Sequence, residues 1–131
     1  METATKTKKT KPKYSREQYL KWYEEMQLMR RFEERAGQLY GMQKIKGFCH
    51  LYIGQEAVVA GAMSVIKAED SMITAYRDHA HALAKGISAR EVMAELFGKI
   101  TGCSKGKGGS MHMFSKPHRF FGGHGIVGAQ I

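Results

Sequence analysis

A glycine-rich stretch at residues 101–128 constrains the fold of this 131-residue chain more than any other feature. Glycine is used where the backbone adopts positive φ or must approach a ligand closely, and consecutive backbone N–H groups can form a nest for anions. Lys105 and Lys107 add positive charge beside it. We therefore predict loop throughout, with a backbone suited to a ligand or an anion. The glycines are Gly102, Gly106, Gly108, Gly109, Gly122, Gly123, Gly125 and Gly128.

Two nucleotide-binding fingerprints nearly match within this stretch. Residues 123–128 have the G-x-G-x-x-G spacing of dinucleotide-binding folds, which requires a buried strand before it. Residues 116–121 make a poor buried strand, so a nicotinamide or flavin site is not favoured. Residues 102–108 do not have the spacing of a nucleoside-triphosphate-binding loop. The residue after Lys107 is also unsuitable, because it is a glycine where that loop has Ser or Thr.

The first long helix has a clear start signal. Ser15 can cap it with Gln18 as its capping-box partner, Tyr14 can pack on Tyr19, and Gly41 marks its end. Its apolar positions recur at steps of three and four, which predicts one buried stripe. The stripe consists of Trp22, Met26, Met29, Phe32, Ala36 and Leu39, with Arg30, Arg31, Glu33 and Glu34 mostly off it.

Further elements predict an α/β fold made mostly of helices and glycine-rich loops. Residues 55–66 have small apolar residues at helical spacing, and residues 88–97 open on a second capping box and close at Gly98. Residues 72–76 predict a short buried strand. The polar residues Tyr76, Arg77, Asp78 and His79 lie at its carboxyl end, which is where open α/β sheets bind ligands.

Composition and charge narrow the class of protein. The proportions of 43% hydrophobic and 25% charged residues are typical of a globular protein. Much of the net charge of +9 lies in residues 1–13, which we predict to be a disordered basic tail. We expect this tail to be solvated or to dock a partner protein, rather than to bind nucleic acid. No apolar run could span a membrane and no secretory signal is visible, so we expect a cytoplasmic protein.

The spacing of the cysteines and histidines does not predict a disulfide framework or a metal site. Cys49 and Cys103 lie far apart, so neither a disulfide framework nor a zinc cluster is expected. The histidines lack carboxylate or cysteine neighbours at ligand spacing, and we predict no metal ligands among them. They are His50, His79, His81, His112, His118 and His124.

Four segments together resemble a known family. They are KGFCHLYIGQEA at 46–57, ITAYRDHAHALAKG at 73–86, GCSKGKGGSMHMF at 102–114 and GGHGIVGAQI at 122–131. In this order they resemble the α subunits of the thiamin-diphosphate-dependent 2-oxo acid dehydrogenase E1 components, above all the pyruvate-decarboxylating ones. The resemblance runs from about Tyr14 onward, so residues 14–131 are expected to be the N-terminal portion of this domain, and the domain to be truncated.

The resemblance implies a parallel-sheet fold that binds thiamin diphosphate and Mg²⁺, with the metal ligands expected beyond Ile131. It implies an α2β2 assembly with a β subunit, and transfer of the acetyl unit of pyruvate to a lipoyl group on an E2 acyltransferase. By motif, Tyr76 and Arg77 are similar to diphosphate contacts, and Gly125 and Val127 to aminopyrimidine contacts. Ser115 is a further cofactor-contact candidate.

The same resemblance assigns catalytic candidates. His50 is similar to the family's active-site histidine near the substrate, and His79 is a second candidate. The alternative for His50 is a buried structural histidine, and for Tyr76 and Arg77 it is a surface ion pair. Because the chain stops before the metal-binding motif, we expect the fragment alone to be inactive.

Other functions remain open at this point. The substrate of a related E1 α subunit could be acetoin or a branched-chain 2-oxo acid, although the GFCHL and GKGGSMHMF segments favour pyruvate. A different class is a non-catalytic interaction module, which explains the basic tail but not the polar cluster after the strand.

Overall fold

The computed structural model describes residues 13–126. Most of the predicted basic tail and the aminopyrimidine candidate Val127 therefore lie outside the described residues. The elements, in chain order, are α1 (Arg16–Gly41), α2 (Glu56–Met63), β1 (Met72–Ala75), α3 (His79–Ala84), α4 (Ala89–Leu96) and β2 (Phe120–His124).

Helix α1 begins and ends where the sequence predicts. The Ser15 hydroxyl accepts a hydrogen bond from the Gln18 N–H, and the Tyr14 ring packs edge-on against Tyr19 at 6.0 Å. One prediction about its faces is wrong, because Glu33 is fully buried rather than mostly off the apolar stripe. It lies four residues after the buried Met29 and so shares the inward face of the helix.

Helix α2 is shorter than its sequence pattern, whereas α4 lies where its pattern predicts. Helix α2 ends at Met63, and residues 64–66 lie beyond it. In α4 the capping box forms in full, with Ser88 and Glu91 each accepting the other's backbone N–H. The sequence does not predict helix α3, because its six residues are too few for a periodic signal.

Strands β1 and β2 pair in parallel, with Met72 opposite Phe120 and Ala75 opposite His124. The prediction of unbroken loop over 101–128 is therefore wrong at residues 120–124. Phe120 is fully buried, and Gly122 lets the backbone approach Thr74 so closely that an added Cβ would lie 2.7 Å from its N atom. Pairing with a distant strand outweighs the weak local propensity of a glycine-containing segment.

The apolar run of strand β1 predicted a buried strand, and this is wrong among the described residues. The residues of β1 alternate between half-buried and exposed.

One hydrophobic core joins all four helices and β2. Its members are Met29, Phe32, Ala36, Ile45, Tyr52, Val59, Ala80, Ala82, Leu83, Ile87, Val92, Leu96, Met113 and Phe120. Between residues 13 and 126, no helix is long and apolar enough to cross a membrane.

Candidate functional site

Three of the predicted site residues lie together at the carboxyl end of β1. The His50 and Tyr76 rings have centroids 4.6 Å apart, and the Arg77 guanidinium carbon lies 5.7 Å from the centroid of the Tyr76 ring. Arg77 also donates a hydrogen bond to the backbone carbonyl of Leu51. The segment between α1 and α2 is thereby held against the end of the strand. Side chains 26 residues apart in sequence form one polar cluster.

A cleft of about 680 Å³ runs along β1 beside this cluster. Tyr76 and Arg77 line one part of it, and His81 and Tyr52 another, with the two rings packed edge-on at 4.9 Å. The Nδ1 atom of His81 is buried and has no hydrogen-bond partner within the described residues. The cleft therefore has an exposed cation, Arg77, in its lining.

The predicted cofactor contacts at Gly125 and Ser115 lie at opposite ends of the strand pair. Gly125 directly follows β2, and because parallel strands end at the same edge, it lies on the side where Tyr76 follows β1. Ser115 bridges to Phe120, at the amino end of β2, and its hydroxyl is hydrogen-bonded to His118 Nδ1 at 2.7 Å. Gly125, but not Ser115, is thus placed at the carboxyl edge.

His79, the second catalytic candidate, is fully buried at the start of α3. Its Nδ1 atom lies 2.9 Å from Glu33 Oε2, and its Nε2 atom lies 2.8 Å from Ser110 Oγ. Burial by itself lowers the pKa of His79, but the hydrogen bond and charge of Glu33 outweigh it, so the pKa is raised. The Ser110 hydroxyl in turn accepts the backbone N–H of His50 at 2.9 Å.

Serine, histidine and a carboxylate also make up the nucleophilic triad of many hydrolases. Here Ser110 is only 4% exposed and its oxygen already accepts the His50 N–H. The hydroxyl is therefore not placed to attack a substrate. Sequence reasoning missed Glu33 and Ser110, although an acid on the inward face of an amphipathic helix indicates a buried partner.

Asp78, which follows Arg77 in the chain, is a buried carboxyl group. Its Oδ2 accepts the Met113 N–H at 3.1 Å, and its Oδ1 has no partner within the described residues. Burial raises the pKa of Asp78 to about 7, against the opposing charge of His79 and the hydrogen bond from Met113. Gly123 is required beside it, because an added Cβ would overlap the Oδ2 atom.

The glycine-rich stretch does form an anion nest, but its anion belongs to the chain itself. The buried Glu95 carboxylate accepts backbone N–H groups from Ser104, Gly106, Gly108 and Gly109 at 2.7 to 3.2 Å. Around this carboxylate, between residues 104 and 109, positive φ is found at Lys105, Gly106 and Gly109. These glycines are explained by the wrapping of the loop around Glu95, so they need no external ligand.

An ion pair fixes the other side of the His50 segment. Arg30 on α1 donates two hydrogen bonds to Glu56 at the start of α2, at 2.7 and 3.1 Å, and Glu56 also accepts the Gly54 N–H at 3.1 Å. The Arg30 hydrogen bonds lower the pKa of Glu56 to about 2, although partial burial opposes them. Residues 50–54 are therefore anchored at both ends.

Over the described residues, no group of three or more His, Cys, Asp and Glu side chains could hold a metal ion. Cys49 and Cys103 are both free. What the carboxyl edge offers is a guanidinium, a phenol, an imidazole and close backbone at Gly125. This set can bind an anionic group and hold a proton donor next to it.

Comparison with known proteins supports one family. The model of the dehydrogenase E1 component family matches residues 24–131. The chain is 68% identical over 118 residues to a pyruvate dehydrogenase E1 component subunit alpha of Rhizobium meliloti, covering 90% of this chain and 34% of that protein. It is 61% identical over 116 residues to the subunit of that name in Rickettsia bellii, covering 88% and 36%.

A more distant relative is the chloroplastic pyruvate dehydrogenase E1 component subunit alpha-3 of Arabidopsis thaliana, at 53% identity over 117 residues, or 89% of this chain and 27% of that protein. The chain spans about a third of the length of these relatives. The family model covers well over half of the chain and includes every residue of the cluster at the carboxyl edge. The chain therefore belongs to the dehydrogenase E1 component family.

Proposed function

We propose that this chain forms the amino-terminal part of the α subunit of a pyruvate dehydrogenase E1 component. The observation that carries the proposal is the meeting of His50, Tyr76 and Arg77 at the carboxyl edge of a parallel strand pair. The shared name of the relatives supports the choice of pyruvate among 2-oxo acids. In this proposal the complete protein oxidatively decarboxylates pyruvate and transfers the acetyl unit to a lipoyl group of E2.

The residues at this edge fit thiamin diphosphate. Arg77 is exposed and supplies a planar, permanently charged donor suited to a diphosphate, and Tyr76 adds a hydroxyl beside it. Gly125 follows β2 at the same edge, where its backbone is proposed to meet the aminopyrimidine; an added Cβ there would lie 3.1 Å from His112 Cε1. When bound, the cofactor supplies the nucleophilic carbon and the electron sink that decarboxylation of a 2-oxo acid requires.

The role of His50 follows from its position beside the Tyr76 ring. An imidazole there can steer the substrate carboxylate or transfer a proton near the cofactor pocket. His79 is buried, so we assign it a supporting role rather than contact with pyruvate. Val127 is retained as an aminopyrimidine contact and Ser115 as a weaker candidate.

The complete assembly is proposed to be an α2β2 heterotetramer in the cytoplasm, with a β subunit and a lipoyl-bearing E2 as partners. Mg²⁺ is proposed as the second component of the cofactor, because a diphosphate is commonly bound through an octahedral magnesium ion. Its ligands are expected from residues that follow this segment in the longer relatives.

The test uses the complete α subunit co-expressed with its β subunit and supplied with a lipoyl domain. Acetylation of the lipoyl domain should require pyruvate and thiamin diphosphate, whereas acetoin and branched-chain 2-oxo acids should give at most about a tenth of the rate. A higher rate with either competitor would contradict the assignment of pyruvate.

Within that complex, His50→Ala should lower kcat by about a hundredfold, the size expected for loss of a general acid or base. Its affinity for thiamin diphosphate should stay within about twofold of wild type. His118→Ala, at the opposite end of the strands, is the matched control and should keep the wild-type rate. A wild-type rate for His50→Ala would make His50 a structural histidine.

A further inference from the structure

We infer that Glu33, His79 and Ser110 form a buried hydrogen-bond relay that positions His50. The inference rests on the proposed function in one respect, since it takes His50 to be the histidine that faces the substrate. Glu33, His79 and Ser110 are positioning residues, and none of them contacts the reacting atoms. They belong to three parts of the chain, namely α1, α3 and the glycine-rich stretch.

The chemistry of the groups fixes the direction of two of the three hydrogen bonds, and the protonation of His79 decides the third. The His50 backbone N–H can only donate, so Ser110 Oγ accepts it. The Glu33 carboxylate accepts, so His79 Nδ1 carries the proton at that end. With a neutral ring, His79 Nε2 then accepts the Ser110 hydroxyl proton at 2.8 Å. In this protonation state every donor points from His50 toward Glu33, an order in which hydrogen bonds strengthen one another.

The relay also tolerates a second proton on His79. Its Nε2 then donates to Ser110, whose backbone carbonyl lies at 3.1 Å as a further acceptor. Ser110 Oγ still accepts the His50 N–H in either state. The position of the His50 backbone is therefore insensitive to the charge of the ring.

The burial of Glu33 and His79 indicates what the relay contributes. Glu33 and His79 are fully buried, and placing a carboxylate and an imidazole out of water is costly unless they are paired. Apolar residues could fill the same space, but they could not accept the His50 N–H. The hydroxyl at the end of the relay supplies that one acceptor, 60 residues away in sequence from His50.

A second side-chain contact holds the backbone next to His50. Arg77 donates to the Leu51 carbonyl from the exposed side, while Ser110 accepts from the buried side. The two contacts hold the peptide groups on either side of the peptide that joins His50 to Leu51, and so set where the His50 ring meets Tyr76. Loss of the inner contact should free the ring while leaving the diphosphate contacts of Tyr76 and Arg77 in place.

The experiment compares Ser110→Ala with Ser104→Ala in the complete α/β complex. Ser104 lies in the same glycine-rich stretch and is half-buried. Its hydroxyl makes two hydrogen bonds that do not involve His50, to the His112 carbonyl and from the Phe114 N–H. Each variant removes one hydroxyl, so general loosening of the stretch should appear in both.

Hydrogen exchange, followed by mass spectrometry of peptides that contain His50, is the direct readout. Ser110→Ala should speed exchange at this amide by about tenfold, the effect expected for loss of one hydrogen bond. It should lower kcat for pyruvate by about tenfold while KM changes little, with thiamin diphosphate affinity within about twofold of wild type. Ser104→Ala should change neither the exchange nor kcat.

Glu33→Gln is the second variant, used if Ser110→Ala fails to assemble. It keeps an acceptor for His79 but removes the charge, so a smaller rise in exchange of about threefold is expected. Unchanged exchange at His50 in the assembled variant would overturn the inference, as would faster exchange with an unchanged kcat. Exchange needs no turnover, so a wild-type complex inactive on pyruvate would refute the proposed function, while the exchange rates would still show whether Ser110 holds the His50 backbone.

Discussion

At the scale of single residues, the ionisation of Asp78 beside the candidate site makes the stability of the fold depend on pH. Its pKa is raised to about 7 because the carboxyl group is buried, with one oxygen unpartnered in the described part of the chain. The unfolded chain ionises near pH 3.8, so between that pH and 7 the folded state binds the extra proton. Stability contributed by this group is present below pH 3.8 and is lost as the pH rises toward 7.

Asp78→Asn should remove this loss, since the amide is neutral at every pH and can still accept the Met113 N–H. The stability of the variant relative to wild type should rise by about 2 kcal/mol when the pH is raised from 5 to 8, which should appear as a larger difference in unfolding temperature at pH 8. Differential scanning fluorimetry of the complete complex at both pH values checks this. Asp70→Asn, at an exposed position, is the control, and an equal shift at pH 5 and pH 8 would count against a buried, protonated Asp78.

The sequence predicted some residues of the site and missed others for a physical reason. Tyr76, Arg77 and His50 could be named from the strand end and the resemblance. Glu33 and Ser110 were missed. The inward position of Glu33 on its helix indicates a buried partner, but it does not say that the partner is His79, 46 residues away. Ser110 carries no local signal, because its partner lies 31 residues away. Their roles in catalysis, like that of His50, remain predictions.

At the scale of elements, the sequence predicted the features that depend on neighbouring residues and missed a strand that depends on long-range pairing. The caps of α1 and α4 were predictable, because capping acts within four residues; the full capping box forms at α4, and at α1 only the Ser15 hydrogen bond is present. Strand β2 was not, because it forms by pairing with β1, nearly 50 residues away in sequence. The nest in the glycine-rich stretch was predicted, but its occupant, Glu95, lies on a preceding helix.

Glu95→Gln should destabilise the complex strongly, because an amide NH₂ group would face donors that now share a carboxylate. We expect a loss of about 3 kcal/mol, the size seen when a buried charged partner is removed. Chemical denaturation of the complete α subunit in complex with β measures it. Glu91→Gln, on the exposed face of the same helix, should cost less than about 1 kcal/mol, and equal losses would argue that the loop does not depend on Glu95.

At the scale of the whole molecule, the parallel pairing of β1 and β2 gives the site its location. Two chain segments end at one edge, and a third, carrying His50, is held there by Arg77 and Ser110. Parallel sheets of this kind bind ligands beyond the carboxyl ends of their strands. Because the chain spans about a third of the length of its relatives, the complete assembly is the right setting for a test of this site.

The most direct measurement is calorimetric titration of thiamin diphosphate with Mg²⁺ into the complete α/β complex, comparing wild type, Arg77→Ala and Arg31→Ala. Arg31 is an exposed arginine on α1, paired with Glu34, and serves as the matched control. We predict that Arg77→Ala weakens binding at least about tenfold, roughly 1.4 kcal/mol, while Arg31→Ala binds as wild type. Equal affinity in all three proteins would contradict the placement of the diphosphate at the carboxyl edge of the strands.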